Sequence, residues 1–224
     1  MRESGYDHST GMATKATKPA AARRQQPGRT RAAILERAVD LASTEGLEGL
    51  TIGRLATELE LSKSGLFGHF GSKEELQLAT IEEASRRFVE EVIQPSLSAS
   101  EGQPRLRALA DSYLGYVERG VFAGGCFFAA VSVEFDDRPG PVGDRVRAAV
   151  GAWLGYLEEQ ARSAGAADPE LLAFELHALG QGANSSFRLF GDPLVFRRAR
   201  RAIDHALRDQ IGSPGRRQAL SRAK

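Results

Sequence analysis

Cysteine is almost absent from this sequence, because Cys126 is the only one among 224 residues. A disulfide within the chain is therefore impossible, which fits a reducing cytoplasm. The first residues also lack the charged and then apolar pattern of a signal peptide. No apolar run approaches the roughly 18 residues that are needed to cross a bilayer. These absences predict a cytoplasmic protein without a membrane segment.

Segments that alternate apolar and polar residues are missing at any useful length, so strands are not predicted. Ala, Leu, Glu and Arg dominate instead, and apolar residues recur at the spacing of a helix surface. The length of 224 residues is enough for one large domain or two small ones. We therefore predict an all-α protein with about nine helices.

Groups that could carry catalysis are scarce as well. No cluster of Cys and His stands at metal-ligand spacing, and Gly180 and Gly182 follow helical sequence rather than a strand, so they are no nucleotide fingerprint. Asp136 and Asp137 could hold a cation, but a solvent-exposed loop also explains them. Cys126 is interpreted as a small buried residue or, alternatively, as a redox sensor. We predict no enzyme, no metal site and no cofactor.

Positive charge is concentrated at the two ends of the chain. Residues 1–31 carry a net charge of +5 and residues 212–224 carry +4, which leaves −8 for the middle of the chain. Residues 1–28 contain almost no large apolar side chain, so we predict a disordered basic arm there. We also predict a disordered tail at residues 212–224. A basic arm beside a DNA-binding motif would also be attracted to phosphates, and this alternative stays open.

The most informative stretch is residues 50–76. Its apolar residues predict a buried helical stripe, and hydroxyl residues stand where helix caps are needed. Two short helices joined by a tight turn are what a helix-turn-helix requires. The stripe consists of Ile52, Leu55, Ala56 and Leu59, and the caps are Thr51, Ser62 and Ser72, the last of which opens a capping box.

The second short helix, residues 63–70, would enter a major groove with its N-terminal residues foremost. We assign Leu66, Phe67 and Phe70 to the small core behind it. Gly65 and Gly68 are costly in a helix, by about 1 kcal/mol each relative to Ala. They allow the backbone to lie close to DNA, or they serve close packing or fraying at this point, and the sequence leaves both interpretations open.

Residues 30–80 resemble the DNA-binding domain of TetR/AcrR-family transcriptional regulators. The resemblance lies in three segments that follow in order, TRAAILERAVDLASTEGLEGLTI, RLATELELSKSGLFGHF and GSKEEL. The sequence departs from the family at Phe67, where a Tyr hydroxyl usually binds phosphate, and at Glu60, where Gly is usual. The resemblance implies a helix-turn-helix domain at 29–76 and a ligand-binding and dimerisation domain at 77–211.

Eight residues of the motif are predicted to contact double-stranded DNA at a near-palindromic operator. Helix N-termini present unpaired N–H groups and a partial positive charge, so they bind phosphates readily. Lys73 resembles the family's phosphate-binding lysine, and His69 matches a position that often meets the DNA backbone. The predicted contacts are Arg31, Thr51, Arg54, Lys63, Ser64, Gly65, His69 and Lys73.

Two segments beyond the helix-turn-helix motif also give structural predictions. A long helix is predicted from Lys73 to about Gln94, where Pro95 forbids its continuation, and in the resembled family this helix joins the DNA-binding domain to the body. Residues 126–135, CFFAAVSVEF, fit a short apolar helix or a buried strand by periodicity alone. The resemblance favours the helix.

The resemblance also implies a pocket in the body for a small, mostly apolar effector. For the aromatic residues, simple core packing is the alternative. His177, Gln181 and Asn184 share one helix face, and a hydrogen-bonded set at a dimer interface is the alternative for them. The predicted ligand-binding residues are Tyr113, Phe127, Trp153, Tyr156, His177 and Gln181.

The last two helices are predicted to pair with those of a second subunit in a homodimer. Four such helices can form a bundle with two-fold symmetry, which would set two DNA-binding heads about 34–36 Å apart along DNA. The predicted interface residues are Phe174, Ala178, Phe196, Ala199 and Ile203.

Together these features predict a transcriptional repressor that a small effector releases from its operator. One alternative is a related regulator that activates transcription or needs its ligand to bind DNA. The other is an all-α small-molecule-binding protein with a non-functional head.

Overall fold

Helices form all the regular structure in residues 27–212, the part of the chain that the computed structural model describes. The predicted basic arm before Pro27 and the predicted tail after Gly212 lie outside the described residues. The all-α prediction is confirmed. The helices are α1 (Pro27–Gly49), α2 (Ile52–Glu58), α3 (Lys63–Phe70), α4 (Lys73–Phe88, continued by a π-helical turn, Val89–Ile93, and by Gln94–Ser96), α5 (Gln103–Glu118), α6 (Phe127–Glu134), α7 (Pro141–Ser163), α8 (Pro169–Phe190) and α9 (Leu194–Ile211).

Hydroxyl caps start the three consecutive helices α2, α3 and α4, as the sequence predicts. We call α1–α3 the head of the protein and the helices that follow α4 the body, and α4 joins the two. In each cap, the side-chain oxygen accepts a hydrogen bond from the amide three residues further on, which satisfies one of the unpaired N–H groups of the first turn. The pairs are Thr51 with Arg54 at 3.1 Å, Ser62 with Gly65 at 3.1 Å, and Ser72 with Glu75 at 3.0 Å.

The turn between α2 and α3 carries a conformational cost. Glu60 has a φ of 53° and is the only residue other than glycine with positive φ in residues 27–212. This is the position at which the resembled family usually has glycine. A left-handed conformation costs a side-chain-bearing residue about 1–2 kcal/mol, so the turn keeps its geometry against the preference of Glu60.

Helix α4 runs further than its proline suggests. The amide of Gln94 donates to the carbonyl of Val89, five residues back, so the helix widens into a π-helical turn just before Pro95. It then continues to Ser96. Pro95 has no N–H to donate, and the widened turn carries the helix past it.

Residues 126–135 form a helix, α6, which resolves the ambiguity left by their periodicity. The first phenylalanine of this segment, Phe127, is fully buried. Aromatic rings from α4, α5, α6 and α7 meet edge to face beside it. Phe88 lies at their centre, with its ring centroid 5.1 Å from that of Trp153 and 5.8 Å from that of Tyr116.

The head is joined to the body through α6 as well as through α4. At the other end of α6, the Glu134 carboxylate accepts hydrogen bonds from the backbone amides of Leu47 and Glu48, both at 2.7 Å. Just before α6, the amide of Gly124 donates to the Ser43 hydroxyl at 2.9 Å. A Cβ atom at Gly124 would lie only 1.8 Å from the Ser43 carbonyl oxygen, so α1 can approach this closely only over a glycine.

Within residues 27–212, no helix is long and apolar enough to cross a membrane. The same residues contain no group of three or more His, Cys, Asp or Glu side chains that could hold a metal ion.

Candidate DNA-binding helix and effector cavity

Helix α3 presents its N-terminal turn to solvent. Leu66 and Phe70, four residues apart, are buried at 0% and 3% exposure and hold the helix against the head. Lys63, Ser64 and Gly65 are all exposed. The unpaired N–H groups of this turn and the side chains beside them therefore face outward, which is the arrangement that base contact requires.

Phe67 is not part of the small core, contrary to the sequence prediction. Its side chain is 54% exposed, because an eight-residue helix held through Leu66 and Phe70 turns the intervening residues outward. The aromatic ring at the position usually occupied by Tyr thus lies on the same outward surface as the N-terminal turn of α3.

The two glycines of α3 serve different purposes. A Cβ atom at Gly65 would lie 2.9 Å from the Ser62 hydroxyl oxygen, so Gly65 leaves room for the cap of its own helix. A Cβ atom at Gly68 would have no atom within 4 Å. Local packing therefore explains Gly65, whereas Gly68 leaves an open, exposed backbone segment on the outward face.

The predicted DNA-contacting cations differ in what they bind in the absence of DNA. Lys73 donates to the Glu48 carbonyl at 2.9 Å and to the Glu48 carboxylate at 3.0 Å. The hydrogen bond from Lys73 is the main reason why the pKa of Glu48 is lowered. Lys63 has no ion pair within the described residues. A DNA phosphate would therefore compete with Glu48 for Lys73, whereas Lys63 could contact DNA without a competing ion pair.

The remaining predicted contacts surround α3 on the head. Arg54 pairs with Glu45 at 2.9 Å and with Glu58 at 3.2 Å. The Arg31 guanidinium lies 5.1 Å from the centroid of the Phe70 ring. Thr51 is exposed and caps α2, and His69 is half-buried near the end of α3. These placements put all eight predicted residues in the helix-turn-helix unit and its neighbouring helices.

The body contains a cavity of about 340 Å³, bounded by α4, α5, α7, α8 and the start of α6. This volume is at the small end of the range of about 300–1,000 Å³ that is usual for ligand pockets. Its wall combines aromatic rings with a few polar side chains. The lining residues are Ser85, Phe88, Val89, Ile93, Tyr113, Cys126, Phe128, Arg145, Ala149, Val150, Ala152, Trp153, Tyr156, His177 and Gln181.

Five of the six predicted ligand-binding residues line this cavity: Tyr113, Trp153, Tyr156, His177 and Gln181. Phe127 does not, because it is fully buried in the core behind the wall. Its neighbour Phe128 takes the position at the cavity instead. The ligand-binding prediction for Phe127 is corrected accordingly.

The polar groups of the wall are mostly neutral at physiological pH. Burial lowers the pKa of His177, and burial also raises the pKa of the Cys126 thiol. Burial raises the pKa of Tyr113 well above its usual value. The Tyr113 hydroxyl is buried beside the Cys126 thiol. The side chains of His177 and Gln181 therefore provide neutral polar groups at the cavity wall.

Asn184, the third member of the polar set on α8, has a structural role inside the protomer. It is 5% exposed, and its side-chain oxygen accepts a hydrogen bond from the backbone amide of Cys126 at 2.9 Å. His177 and Gln181 face the cavity. The alternative of a polar set at a dimer interface is therefore not needed for these three residues.

An exposed apolar stripe runs along α8. Leu171, Phe174 and Leu189 are 43%, 65% and 75% exposed, and Ala178 is also exposed. These four residues follow one another at spacings of three, four and eleven, so they lie on one face of the helix. We call this set the α8 stripe. A row of large apolar side chains in water is typical of a protein interface.

The predicted interface residues of α9 are not exposed. Phe196, Ala199 and Ile203 are 0%, 7% and 3% exposed, and they are covered by their own protomer. Phe196 packs on Phe187 of α8 with ring centroids 4.8 Å apart. The apolar face of α9 therefore belongs to the core of the subunit, and the interface prediction for these three residues is corrected.

Comparison with known proteins agrees with this architecture. Residues 34–80 match the family model described as bacterial regulatory proteins, tetR family, and residues 102–203 match the model described as tetracyclin repressor-like, C-terminal domain. A search of curated proteins found no match.

Several solved structures are similar along most of their length. A TetR-family transcriptional regulator from Streptomyces coelicolor is 26% identical with a TM-score of 0.72, over 83% of this chain and 96% of that one. A TetR transcriptional regulator from Chloroflexus aurantiacus is 24% identical with a TM-score of 0.74, over 82% and 96%. AibR, solved in complex with isovaleryl coenzyme A and operator DNA, is 24% identical with a TM-score of 0.63, over 81% and 97%.

Proposed function

Because the chain belongs to the TetR family of DNA-binding transcriptional regulators, we propose that it is a homodimeric repressor which a small, mostly apolar effector releases from its operator. The observation that carries this proposal is the outward N-terminal turn of α3, Lys63-Ser64-Gly65, held by the buried Leu66 and Phe70. As a DNA-binding transcriptional regulator, it would act in the cytoplasm, and we propose no catalytic activity.

The dimer is proposed to form through the α8 stripe. Phe174 and Leu189 are the most exposed large apolar side chains of that helix, apart from Phe190 at its end. A two-fold axis beside α8 would bring the same stripe of a second subunit against them, since a two-fold interface uses one patch on both partners. Two heads would then face a near-palindromic operator with half-sites about one helical turn apart.

Release is proposed to run through α4. This helix begins with Lys73 at the DNA-binding end, and Ser85, Phe88 and Val89 further along it line the effector cavity. An effector that binds more tightly after α4 has moved would stabilise the state that binds DNA less well. The resulting loss of DNA affinity is limited by the difference between the affinities of the effector for the two positions of α4. AibR supports the fold only: one chain of this architecture was solved with both a small molecule and operator DNA.

Selection of bound fragments from random DNA by the full-length protein tests the proposal. A near-palindromic consensus is the expected result, and the absence of any enriched sequence would contradict it. Repeating the selection and the binding assay with small molecules present separates repressor from activator. Ligands that release the protein support the repressor, whereas ligands that are needed for binding support the alternative regulator.

A further inference from the structure

Arg145 on α7 and Glu82 on α4 form a two-point ion pair at the cavity. The Nε and Nη2 groups of Arg145 donate to the two carboxylate oxygens of Glu82 at 2.5 and 2.9 Å. This hydrogen bond also lowers the pKa of Glu82. The pair joins the helix that leads to the DNA-binding head with a helix of the body.

The two partners differ in their relation to the cavity. Arg145 lines it, and its side chain is 33% exposed, whereas Glu82 lies outside the wall with 60% exposure. The Nη1 group of Arg145 donates to no described residue. The arginine thus borders the cavity while it is held by a solvent-facing carboxylate that a competing anion can replace.

Charge decides which kind of ligand the cavity favours. Among the described lining residues, Arg145 alone carries a full charge at neutral pH, because burial keeps His177 and the Cys126 thiol in their neutral forms. The aromatic wall by itself would suit a cation as well as a neutral ring. A cation is disfavoured beside Arg145, whereas a carboxylate would gain charge-assisted hydrogen bonds from it.

We propose that the effector is a compact organic anion with an apolar body, whose carboxylate takes Arg145 from Glu82 and so opens the link between α4 and α7. The apolar body lies among the rings of Phe88, Tyr113 and Trp153, where Gln181 of the wall provides a second polar contact. This inference rests on the proposed function, because the opened link matters only if α4 controls the DNA-binding head.

The ion pair is a suitable switch because it is weak. An exposed pair of this kind contributes little to stability because water screens it, so little is lost when it opens. The same arginine paired with an anion inside the cavity interacts more strongly, since less water screens the two charges. Glu82 would then face solvent without its partner, and α4 would lose one of its contacts with α7.

Binding of matched neutral and anionic probes to the full-length protein tests the proposal. The probes are 3-phenylpropanoate, 4-phenylbutanoate and 6-phenylhexanoate, each compared with its primary carboxamide. Trp153 lines the cavity and is the only tryptophan in the chain, so its fluorescence reports binding. We expect at least one acid to bind about tenfold tighter than its amide, the difference made by one charge-assisted contact.

Two substitutions assign that preference to the ion pair. Arg145→Gln should reduce the preference for the acid to near one, and Glu82→Gln should strengthen acid binding severalfold while amide binding stays unchanged. Arg119→Gln is the control, because it removes an ion pair with Glu91 and neither partner lines the cavity. This substitution should leave the affinities for the acid and for the amide unchanged. Thermal unfolding of each variant establishes that it is folded. If Arg145→Gln is not folded, Glu82→Gln tests the role of the ion pair independently.

Equal binding of acids and amides, a preference that persists in Arg145→Gln, weaker acid binding in Glu82→Gln, or no quenching by any probe would each overturn the anion proposal. Operator binding is measured on the same preparations. A protein that binds its operator but shows no acid preference contradicts this inference alone. A protein that prefers acids but binds no DNA contradicts the proposed function alone.

Discussion

The Glu134 carboxylate lies 2.7 Å from the backbone nitrogen of Leu47 and accepts its hydrogen. A side chain of the body thereby caps the last turn of α1 in the head. The chain can bend into this cap because Gly46 has a φ of 79°, and a Cβ atom there would lie 2.6 Å from a Glu134 oxygen. The head and the body are therefore linked at α6 independently of α4.

Replacing this carboxylate should weaken the link. In Glu134→Gln, one side-chain oxygen can still accept a hydrogen bond, but the NH₂ group faces the second backbone N–H. Because the N–H of Glu48 is exposed and can bind water instead, we expect the free energy of unfolding to fall by about 0.5–1.5 kcal/mol, the usual contribution of one hydrogen bond. Urea unfolding at a fixed protein concentration measures it, and fixing the concentration matters because a dimer gains stability by association.

The control for that substitution is Val133→Ala, at the adjacent residue of α6. Val133 is 75% exposed, so its shortening should cost little. Equal midpoints for the two variants would show that the cap from Glu134 does not stabilise the fold.

Lys73→Ala should weaken DNA binding without changing which sequence is preferred. In the free protein the Lys73 ammonium is bound to Glu48, and on DNA we expect it to exchange this partner for a phosphate. Loss of one phosphate contact lowers the slope of log affinity against log salt by about 0.9. Fluorescence anisotropy of labelled operator and of unrelated DNA over a range of salt concentrations measures the slope.

Arg162→Ala is the control for Lys73→Ala, because it removes a positive charge whose ion pair with Glu158 lies on α7 of the body. Its salt slope should equal that of the wild type. If Lys73→Ala instead loses discrimination between operator and unrelated DNA, Lys73 reads bases and its assignment to a phosphate is wrong.

Leu189→Ser should promote dissociation of the dimer. The side chain belongs to the α8 stripe and is 75% exposed in the single protomer, so burial against a second subunit would be lost. Removing a buried large apolar side chain from an interface costs about 1–3 kcal/mol. The expected result is a dissociation constant raised at least about fivefold, measured by sedimentation equilibrium.

Val133 offers a matched control for the interface, since its exposure in the protomer is also 75% but it lies on α6 outside the α8 stripe. Val133→Ser should leave the dissociation constant unchanged. If both serine variants behave alike, or if the wild type is a monomer, the α8 stripe is not the interface.

Acidification should destabilise the protein through His177. Burial lowers its folded-state pKa below the usual 6.5, so the unfolded chain binds a proton first as the pH falls. Stability is therefore lost as the pH drops below about 6.5, until the folded-state pKa is reached. Glu82 and Glu83, whose pKa values are lowered by arginine partners, contribute to loss of stability only below about pH 4.5.

Thermal unfolding between pH 7.5 and 5 separates this contribution. His177→Asn should show a smaller fall in melting temperature over this range than the wild type. The control His205→Asn changes an exposed histidine on α9. Its melting temperature should fall over this pH range as much as that of the wild type. Identical pH profiles for His177→Asn and wild type would contradict a cost of charging His177.

The helix boundaries of the head were predictable because short-range chemistry sets them. Thr51, Ser62 and Ser72 each bind an amide three residues away, and such caps depend on the local sequence alone. The left-handed conformation of Glu60 could not be derived in the same way, because glutamate does not favour it. Glu60 lies in the turn that ends α2, where the Leu61 amide donates to the Ala56 carbonyl at 2.9 Å, and such a turn usually has glycine at this position.

Burial of the body helices was harder to predict because periodicity shows an apolar face but not what covers it. The apolar residues of α9 repeat as an interface would, yet Phe196 packs on Phe187 of its own subunit. Phe127 and Phe128 are adjacent and chemically identical. Only the rotation of α6 about its axis decides that Phe128 borders the cavity and Phe127 does not.

Whether the N-terminal turn of α3 reads DNA is tested most directly by comparing the wild type with a Lys63→Ala, Ser64→Ala double variant. Each protein is titrated with the selected operator and with a scrambled duplex of equal length at one salt concentration. The wild type should prefer the operator by about 10³-fold or more, and the folded variant should lose most of that preference, since each base contact contributes about 1–3 kcal/mol. No preference in the wild type, or an undiminished preference in the variant, would contradict the assignment of α3 as the recognition helix.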